Sequence, residues 1–362
     1  MINELKISNF RQFKNLKLEF NKNIIIIHGD NTKGKSTILE AIYLLTNGET
    51  PWGDFDDEFH IDQEENEYFR IEGQFDNEKR FVYFRDKQKR QLKADAVNTT
   101  SKKFFSNFSS IMFSPEQIDL LMISSSKRRD FLDNILAQID YEYVEIHSIF
   151  SKSLKQRNAY LKKLSKAFYE KGIINIEDPQ LIYWTNQIAK YSAIIMSKRQ
   201  KIINKIQTEN IQLIYNPSVT LNLFEDLADI KSIESITIER LKEGLKRDIA
   251  TGISNIGAHR DDWTIIQGKD IKRFGSRGEK RVAIGRLIFE ALELISEAKE
   301  SRPILLLDDI SSELDKANTE KTLLNDILDK QQTFITAIEL NHIPKEIRDK
   351  SQIIDLNSSE GF

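Results

Sequence analysis

Gly29-Asp30-Asn31-Thr32-Lys33-Gly34-Lys35-Ser36, with Thr37 after it, sits between two hydrophobic segments of different character. Before it, Ile24-Ile25-Ile26-Ile27 predicts a strand buried on both faces. After it, Ile38, Leu39, Ile42 and Leu45 recur at helical spacing and predict one apolar helix face. A glycine at each end of such a loop lets backbone N–H groups turn inward, and the helix that follows presents its positive end, so the loop cradles an anion. In the pattern G-x-x-x-x-G-K-[ST], Lys35 is a point charge for the β- and γ-phosphates of ATP, and Ser36 offers a hydroxyl to Mg2+. A solvated lysine turn would explain neither flank.

A second stretch, Pro303-Ile304-Leu305-Leu306-Leu307-Asp308-Asp309, lies near the other end of the 362-residue chain. Its aliphatic run predicts another fully buried strand, and such strands end at the edge of a sheet where phosphate loops also lie. Asp308 is then placed to hold Mg2+. Asp309 is placed to orient or deprotonate the attacking water, so Lys35 and Asp309 are the expected catalytic residues. Only a fold whose N- and C-terminal segments share one sheet can bring these two stretches together.

Composition excludes several classes. Thirty per cent charged and 40% hydrophobic residues describe an ordinary globular chain. Six prolines permit long helices, and the absence of cysteine excludes disulfides and zinc–thiolate sites. No run approaches the roughly 20 apolar residues of a membrane span, and Met1 to Phe10 lacks the apolar core of a secretion signal, so a cytoplasmic protein without a membrane partner is expected. The net charge of -3 gives no global attraction to nucleic acid. Such binding requires a local basic surface, and Lys127-Arg128-Arg129, Lys152 to Lys166, Lys198 to Lys205 and Lys269 to Arg273 are the candidates.

Three regions follow from periodicity. Residues 1–125 carry alternating strands (Ile2, Leu5, Ile7; Leu16, Leu18, Phe20), the phosphate loop, and a hairpin of Phe69-Arg70-Ile71 and Phe81-Val82-Tyr83-Phe84 around a polar turn. Residues 126–250 change to three- and four-residue steps, from Leu132, Ile135, Leu136 and Ile139 through Leu161 and Leu164, then Trp184, Ile188, Tyr191 and Ile195. A helix from Leu181 to Leu213 is expected there, roughly 50 Å long at about 1.5 Å per residue. Residues 251–362 return to mixed structure, with strands expected at Thr264–Ile266, Ile304–Leu307 and Phe334–Ile338. The predicted architecture is α/β: a mixed sheet with a phosphate loop, assembled from N- and C-terminal segments, plus an inserted helical lobe.

Ser276-Arg277-Gly278-Glu279-Lys280-Arg281 precedes a long helical pattern and resembles the signature motif of ABC-type ATPases, while Ser311-Ser312-Glu313-Leu314-Asp315 resembles their D-loop. The chain as a whole resembles the RecF family, head-only members of the SMC-like ATPases. The resemblance rests on Leu5-Lys6-Ile7-Ser8-Asn9-Phe10-Arg11, Phe113-Ser114-Pro115-Glu116, Arg128-Arg129-Asp130-Phe131-Leu132-Asp133, Leu154-Lys155-Gln156-Arg157-Asn158, His259-Arg260-Asp261-Asp262 and Leu306-Leu307-Asp308-Asp309 in that order. It implies an ABC-type head that binds ATP and Mg2+, with Arg11, Ser276, Arg277, Gly278 and Asp315 added to the nucleotide contacts. It also implies that ATP is sandwiched between two heads, giving an ATP-dependent homodimer. Double-stranded DNA, gapped or at junctions, is the implied substrate, and RecR and RecO the implied mediator partners. A weak, DNA-stimulated ATPase serving recombinational repair, replication restart and the SOS response is what the family would lead one to expect.

Departures from the family pattern are specific. Thr32 stands where the loop usually has glycine, and a β-branched residue resists positive φ. Glu279 occupies a usual glutamine place and Ala258 a usual proline place, while Thr336 lies where many ABC ATPases carry a switch histidine, as a threonine does in RecF-like proteins. The Q-loop role could fall to Glu116 or Gln117. Two other functions share the head chemistry: the ATPase subunit of an ABC transporter, and a DNA scaffold that binds ATP with negligible turnover. A nuclease with an added acidic metal domain is not expected from the short stretch that follows Asp315 here.

Overall fold

The computed structural model describes residues 1–50, 68–76, 78–114, 122–171, 177–208, 211–219, 227, 229–309 and 330–358, apart from the side chains of 168–171 and 342. Asp315 with the rest of Ser311–Asp315, and Glu116 and Gln117, lie outside the described residues. In chain order the elements are β1 (Ile2–Phe10), β2 (Phe13–Glu19), β3 (Ile24–His28), α1 (Lys35–Asn47), β4 (Tyr68–Phe75), β5 (Arg80–Asp86), β6 (Arg90–Ala94), β7 (Val97–Asn98), α2 (Ser101–Phe105) and β8 (Ser110–Phe113). There follow α3 (Ser125–Ile139), α4 (Tyr141–Lys171), α5 (Pro179–Ile206), β9 (Gln212–Asn216), α6 (Ile230–Glu243), α7 (Leu245–Thr251), β10 (Asp262–Gln267), β11 (Lys269–Asp270) and α8 (Ile271–Phe274). The chain closes with α9 (Arg277–Lys299), β12 (Ile304–Leu307), β13 (Thr333–Ala337), α10 (Lys345–Lys350) and β14 (Gln352–Asp355).

The first compact unit joins Met1–Asp119 to Ile288–Phe362. Its central sheet runs β14-β3-β13-β12-β8, and every pairing in it is parallel. Both aliphatic runs singled out in the sequence are therefore in one sheet, one strand apart, and β13 separates them. A second sheet, β2-β1-β4-β5-β6-β7, is antiparallel throughout. Helix α1 packs on both: Ile38, Leu39, Ile42 and Leu45 share one core with Leu5, Ile7 and Ile71 of the antiparallel sheet and Ile25, Leu306 and Phe334 of the parallel one. Ala41, Tyr43 and Leu44 are buried too. A helix covered on two sides loses the polar face that a surface helix keeps. The hairpin expected from Phe69 to Phe84 is formed by β4 and β5.

The second unit is Leu120–Leu287. Helices α4 and α5 pack together and run antiparallel, since Lys198 reaches Asp140 while Thr185 reaches Arg157. Helix α5 stops at Ile206 rather than continuing to Leu213, so it has 28 residues and spans about 42 Å at about 1.5 Å each. The reason is a change of period: Leu213 and Tyr215 are buried while Gln212 and Ile214 are not, and this strand pairs with β10. The same pairing corrects the boundary expected at residue 250, because β10 and β11 complete a sheet with β9 and carry the second unit on to Leu287.

Buried ion pairs fasten this unit. Arg199, 2% exposed, donates to both carboxylate oxygens of Asp133 at 2.8 Å and to Asp261 at 3.1 Å. The Tyr215 hydroxyl also donates to Asp261, and Arg128 forks onto Asp262 at 2.5 and 2.9 Å. Arg157 of α4 donates to Asp248 of α7 at 2.7 Å, with both side chains fully buried. Removing one partner of such a pair leaves an uncompensated charge inside, at a cost of about 3–5 kcal/mol.

Candidate nucleotide site

Local chemistry shapes the phosphate loop. Gly34 is the N-cap of α1 with φ +89°, and a Cβ there would stand 2.4 Å from Phe13 Cζ and 2.7 Å from Gln12 Nε2. Only glycine satisfies both the backbone and that close approach. Thr32 adopts φ +71°, the left-handed shape a glycine would take freely. Such a conformation costs a branched residue about 1–2 kcal/mol. Gln12 Nε2 donates to the Thr32 carbonyl at 2.6 Å, and the Asp30 N–H donates to Asn357 Oδ1 at 3.1 Å, so the loop is braced from outside. The glycine-to-threonine departure thus leaves the expected loop conformation in place.

The helix start carries no side-chain cap and no acidic residue in its first turn. Its first N–H groups lack intrahelical acceptors, as in any α-helix, which makes this end a seat for an anion. Lys35 is 8% exposed, and its ammonium donates to the carbonyls of Gly29 at 2.7 Å and Asp30 at 2.9 Å. Burial pushes its pKa down, against the pull of Asp309, Asp308 and Asp30. A buried lysine held, among the described residues, by two backbone carbonyls and nearby acids is a cation that phosphate oxygens would satisfy.

Across the sheet edge, Ser36 Oγ donates to Asp308 Oδ1 at 3.0 Å, joining residues 272 positions apart. Thr336 Oγ1 of β13 donates to the same oxygen at 2.6 Å. Burial pushes the Asp308 carboxyl up, the two hydroxyl donors oppose that rise, the neighbouring Asp309 adds to it and Lys35 opposes it. Asp309 is exposed, has φ +47°, and its N–H donates to Thr336 Oγ1 at 2.8 Å. Ser36 and Asp308 form a two-oxygen donor set. That fits Mg2+, which takes one or two protein ligands and completes its octahedron with water and substrate phosphate. Among the described residues no group of three or more His, Cys, Asp or Glu could hold a metal.

The structure thus brings together the Gly29–Thr37 loop, Asp308 and Asp309. Arg11, expected at the nucleotide, has its Nε and Nη2 on Glu40 of α1 at 2.9 and 2.6 Å, and Glu40 is 2% exposed. It anchors the β1–β2 turn, from which the next residue, Gln12, reaches the loop. Nothing in the sequence singled out Gln12, Glu40 or Asn357, because their partners are set by tertiary proximity. Ser276 to Gly278 belong to the second unit, where Ser276 heads α9 in a capping box: Glu279 N–H donates to Ser276 Oγ at 3.3 Å, and Ser276 N–H to Glu279 Oε2 at 2.7 Å. Lys269 also holds Glu279, at 2.7 Å, and with the Ser276 N–H it draws that carboxyl down to about 2.

A parallel sheet with α1 between it and an antiparallel sheet, a phosphate loop and an acidic pair at one sheet edge define an ABC-type ATPase head. The model of the RecF/RecN/SMC N-terminal domain matches residues 1–357. A protein called DNA replication and repair protein RecF from Natranaerobius thermophilus is 32% identical over 99% of this chain and 97% of its own length. One of the same description from Clostridium kluyveri is 33% identical over 97% and 96%. A solved structure of the recombination mediator protein RecF-ATPrS in the RecFOR pathway superimposes with a TM-score of 0.80 at 27% identity, covering 95% of this chain and 94% of that one, and RecF-ATP gives 0.79 at 29%. This chain belongs to the RecF family.

Proposed function

We propose that this protein binds and slowly hydrolyses ATP, dimerises on it, and uses the cycle to hold duplex DNA at single-strand gaps in recombinational repair, replication restart and the SOS response. The observation that carries the proposal is the Ser36–Asp308 bond, which joins the phosphate-loop segment to the acidic strand end from the other end of the chain. Lys35 would receive the β- and γ-phosphates in exchange for its two backbone carbonyls. Ser36 and Asp308 would hold Mg2+, whose charge offsets that of the transferred phosphoryl group. Asp309 would orient and deprotonate the attacking water. Ser276 and Gly278 of a second copy would face the γ-phosphate from a helix start, with Asp315 nearby, as the resemblance implies.

DNA binding rests on a charge asymmetry. No carboxylate occurs from Ile146 to Tyr169 on α4 or from Pro179 to Ile206 on α5. Arg157 and Arg199 within them are buried and paired. Lys152, Lys155, Lys162 and Lys166 are exposed and recur at steps that share one face of α4, over about 21 Å. Such a face suits phosphate contacts, which are independent of sequence and sensitive to salt. RecR and RecO are the proposed mediator partners. Among the described residues no helix is long and apolar enough to cross a membrane; the inserted helices α4 and α5, and the RecF-like segments along the chain, favour this reading over a transporter subunit.

The test is sedimentation and ATP turnover with and without gapped duplex. Asp309→Asn is expected to bind ATP, accumulate dimer and lose turnover about 100-fold or more, whereas Lys35→Ala loses nucleotide affinity. Wild-type hydrolysis by Asp309→Asn would refute the base, and a protein that stays monomeric at every ATP concentration would refute the cycle. A dimer without measurable turnover would favour the scaffold.

A further inference from the structure

The geometry points to Thr336 as the positioning residue of the hydrolytic pair: its hydroxyl ties the Asp308 carboxylate and the Asp309 backbone into one unit and thereby sets where the Asp309 carboxylate stands. The inference rests on the ATPase reading above and adds a residue to it.

Strand β13 lies between β12 and β3, with Leu307 opposite Ile335 and Ala337 opposite His28. Beyond Leu307 the β12–β13 ladder stops. The next two residues are held differently on the two sides: Asp308 N–H donates to the Phe113 carbonyl of β8 at 2.8 Å, while Asp309 N–H donates to the Thr336 side chain at 2.8 Å. The chain turns there, at the positive φ of Asp309. A non-glycine residue in that region costs about 1–2 kcal/mol and persists only where its surroundings hold it. The hydroxyl of Thr336 is one of those holds.

A hydroxyl has one proton and two lone pairs. Thr336 uses the proton on Asp308 Oδ1 at 2.6 Å and one lone pair on Asp309 N–H. It is 0% exposed, so water does not supply alternatives. Asp308 Oδ1 therefore has two hydroxyl donors, Ser36 and Thr336, on a single oxygen. Its carboxylate plane is pinned before any cation arrives. The position where many ABC ATPases carry a histidine thus has no spare proton for a phosphate here, and its side chain holds the two acids in place. Threonine is well matched to that role, because its β-branch favours a strand and stiffens χ1, so the hydroxyl is pre-aimed.

Thr336→Val keeps the branched shape and removes both bonds. Single-turnover and steady-state ATP hydrolysis should then show kcat lower by about 10- to 100-fold, the range expected from a roughly 1 Å misplacement of a catalytic group, with KM within about twofold. Affinity for a fluorescent ATP analogue and the urea midpoint, measured on the same samples, report whether the fold and the loop survive. Thr336→Ser restores the hydroxyl and should recover most of the turnover. In the Asp309→Asn background, Thr336→Val should add no further loss, since the group it positions is already disabled. Wild-type kcat in Thr336→Val overturns the inference. So does a multiplicative loss in the double variant, or failure of serine to rescue a folded protein that binds ATP. Should the wild-type protein itself bind ATP without hydrolysing it, the ATPase reading falls first and this role falls with it.

Discussion

Gly278 offers a way to separate what the single chain needs from what an assembly needs. It is the second residue of α9, exposed, and a Cβ built on it meets no heavy atom within 4 Å among the described residues. Gly285, two turns further on the same helix, is equally open. Glycine in a helix costs about 0.5–1 kcal/mol relative to alanine, because the unfolded chain has more freedom to lose. Gly278→Ala and Gly285→Ala should each therefore stabilise the protein by about 0.5–1 kcal/mol, read as a higher urea midpoint with an unchanged slope. Their effects on assembly should differ. If Gly278 lies against the γ-phosphate held by a second copy, an added methyl overpacks that contact by about 1–3 kcal/mol, which weakens the ATP-dependent dimer by about 5- to 150-fold. Gly285→Ala should dimerise as the wild type does. Sedimentation velocity over a range of protein concentrations at saturating ATP gives both constants. A Gly278→Ala protein that dimerises like the wild type would refute the placement of the signature turn at a partner's nucleotide, and a destabilised one would refute the helix argument.

The lysine face and the buried histidine supply two further tests. Replacing Lys152, Lys155, Lys162 and Lys166 with glutamine should weaken duplex binding uniformly across sequences and reduce the slope of log K against log salt by about 3–4, at about 0.9 per lost phosphate contact; an unchanged slope would place the DNA elsewhere. His259 has Nε2 on the Ser254 carbonyl at 2.8 Å and a buried Nδ1 with no hydrogen-bond partner among the described residues, and burial pushes its pKa from the usual 6.5 to about 4, with Ser254 opposing and Arg260, Arg129 and Arg157 contributing. Its folded pKa is depressed below the unfolded one, so the unfolded state binds the extra proton between those values and stability falls as pH drops from about 6.5 to about 4. The loss is up to about 3 kcal/mol. His259→Gln should flatten that part of the urea-midpoint profile relative to wild type, and identical profiles would remove the histidine from the account.

Local sequence carried the elements whose meaning depends on neighbours in the chain. The isoleucine run of β3 and the aliphatic run of β12 announce strands buried on both faces, because a central parallel sheet has no solvent side to mark with polar residues. Gly34 and Lys35 announce a helix start suited to an anion, because cap geometry and helix dipole act over a few residues. Periodicity misjudged the end of α5 and the second domain boundary for one reason: Leu213 continues the apolar count, and only its pairing with Ile265 of β10 shows that it lies on a strand.

What the tertiary structure alone decided is the set of contacts between segments that no local rule connects. Arg11 is taken up by Glu40, Gln12 grips the loop at Thr32, Asn357 meets Asp30, and Thr336 couples Asp308 to Asp309. A side chain's identity states which bonds it can make, and the sequence of this protein states that plainly. Which partner receives each bond depends on strand order and register, and those are settled by burying α1 between an antiparallel sheet of N-terminal strands and a parallel sheet whose strands come from both ends of the chain.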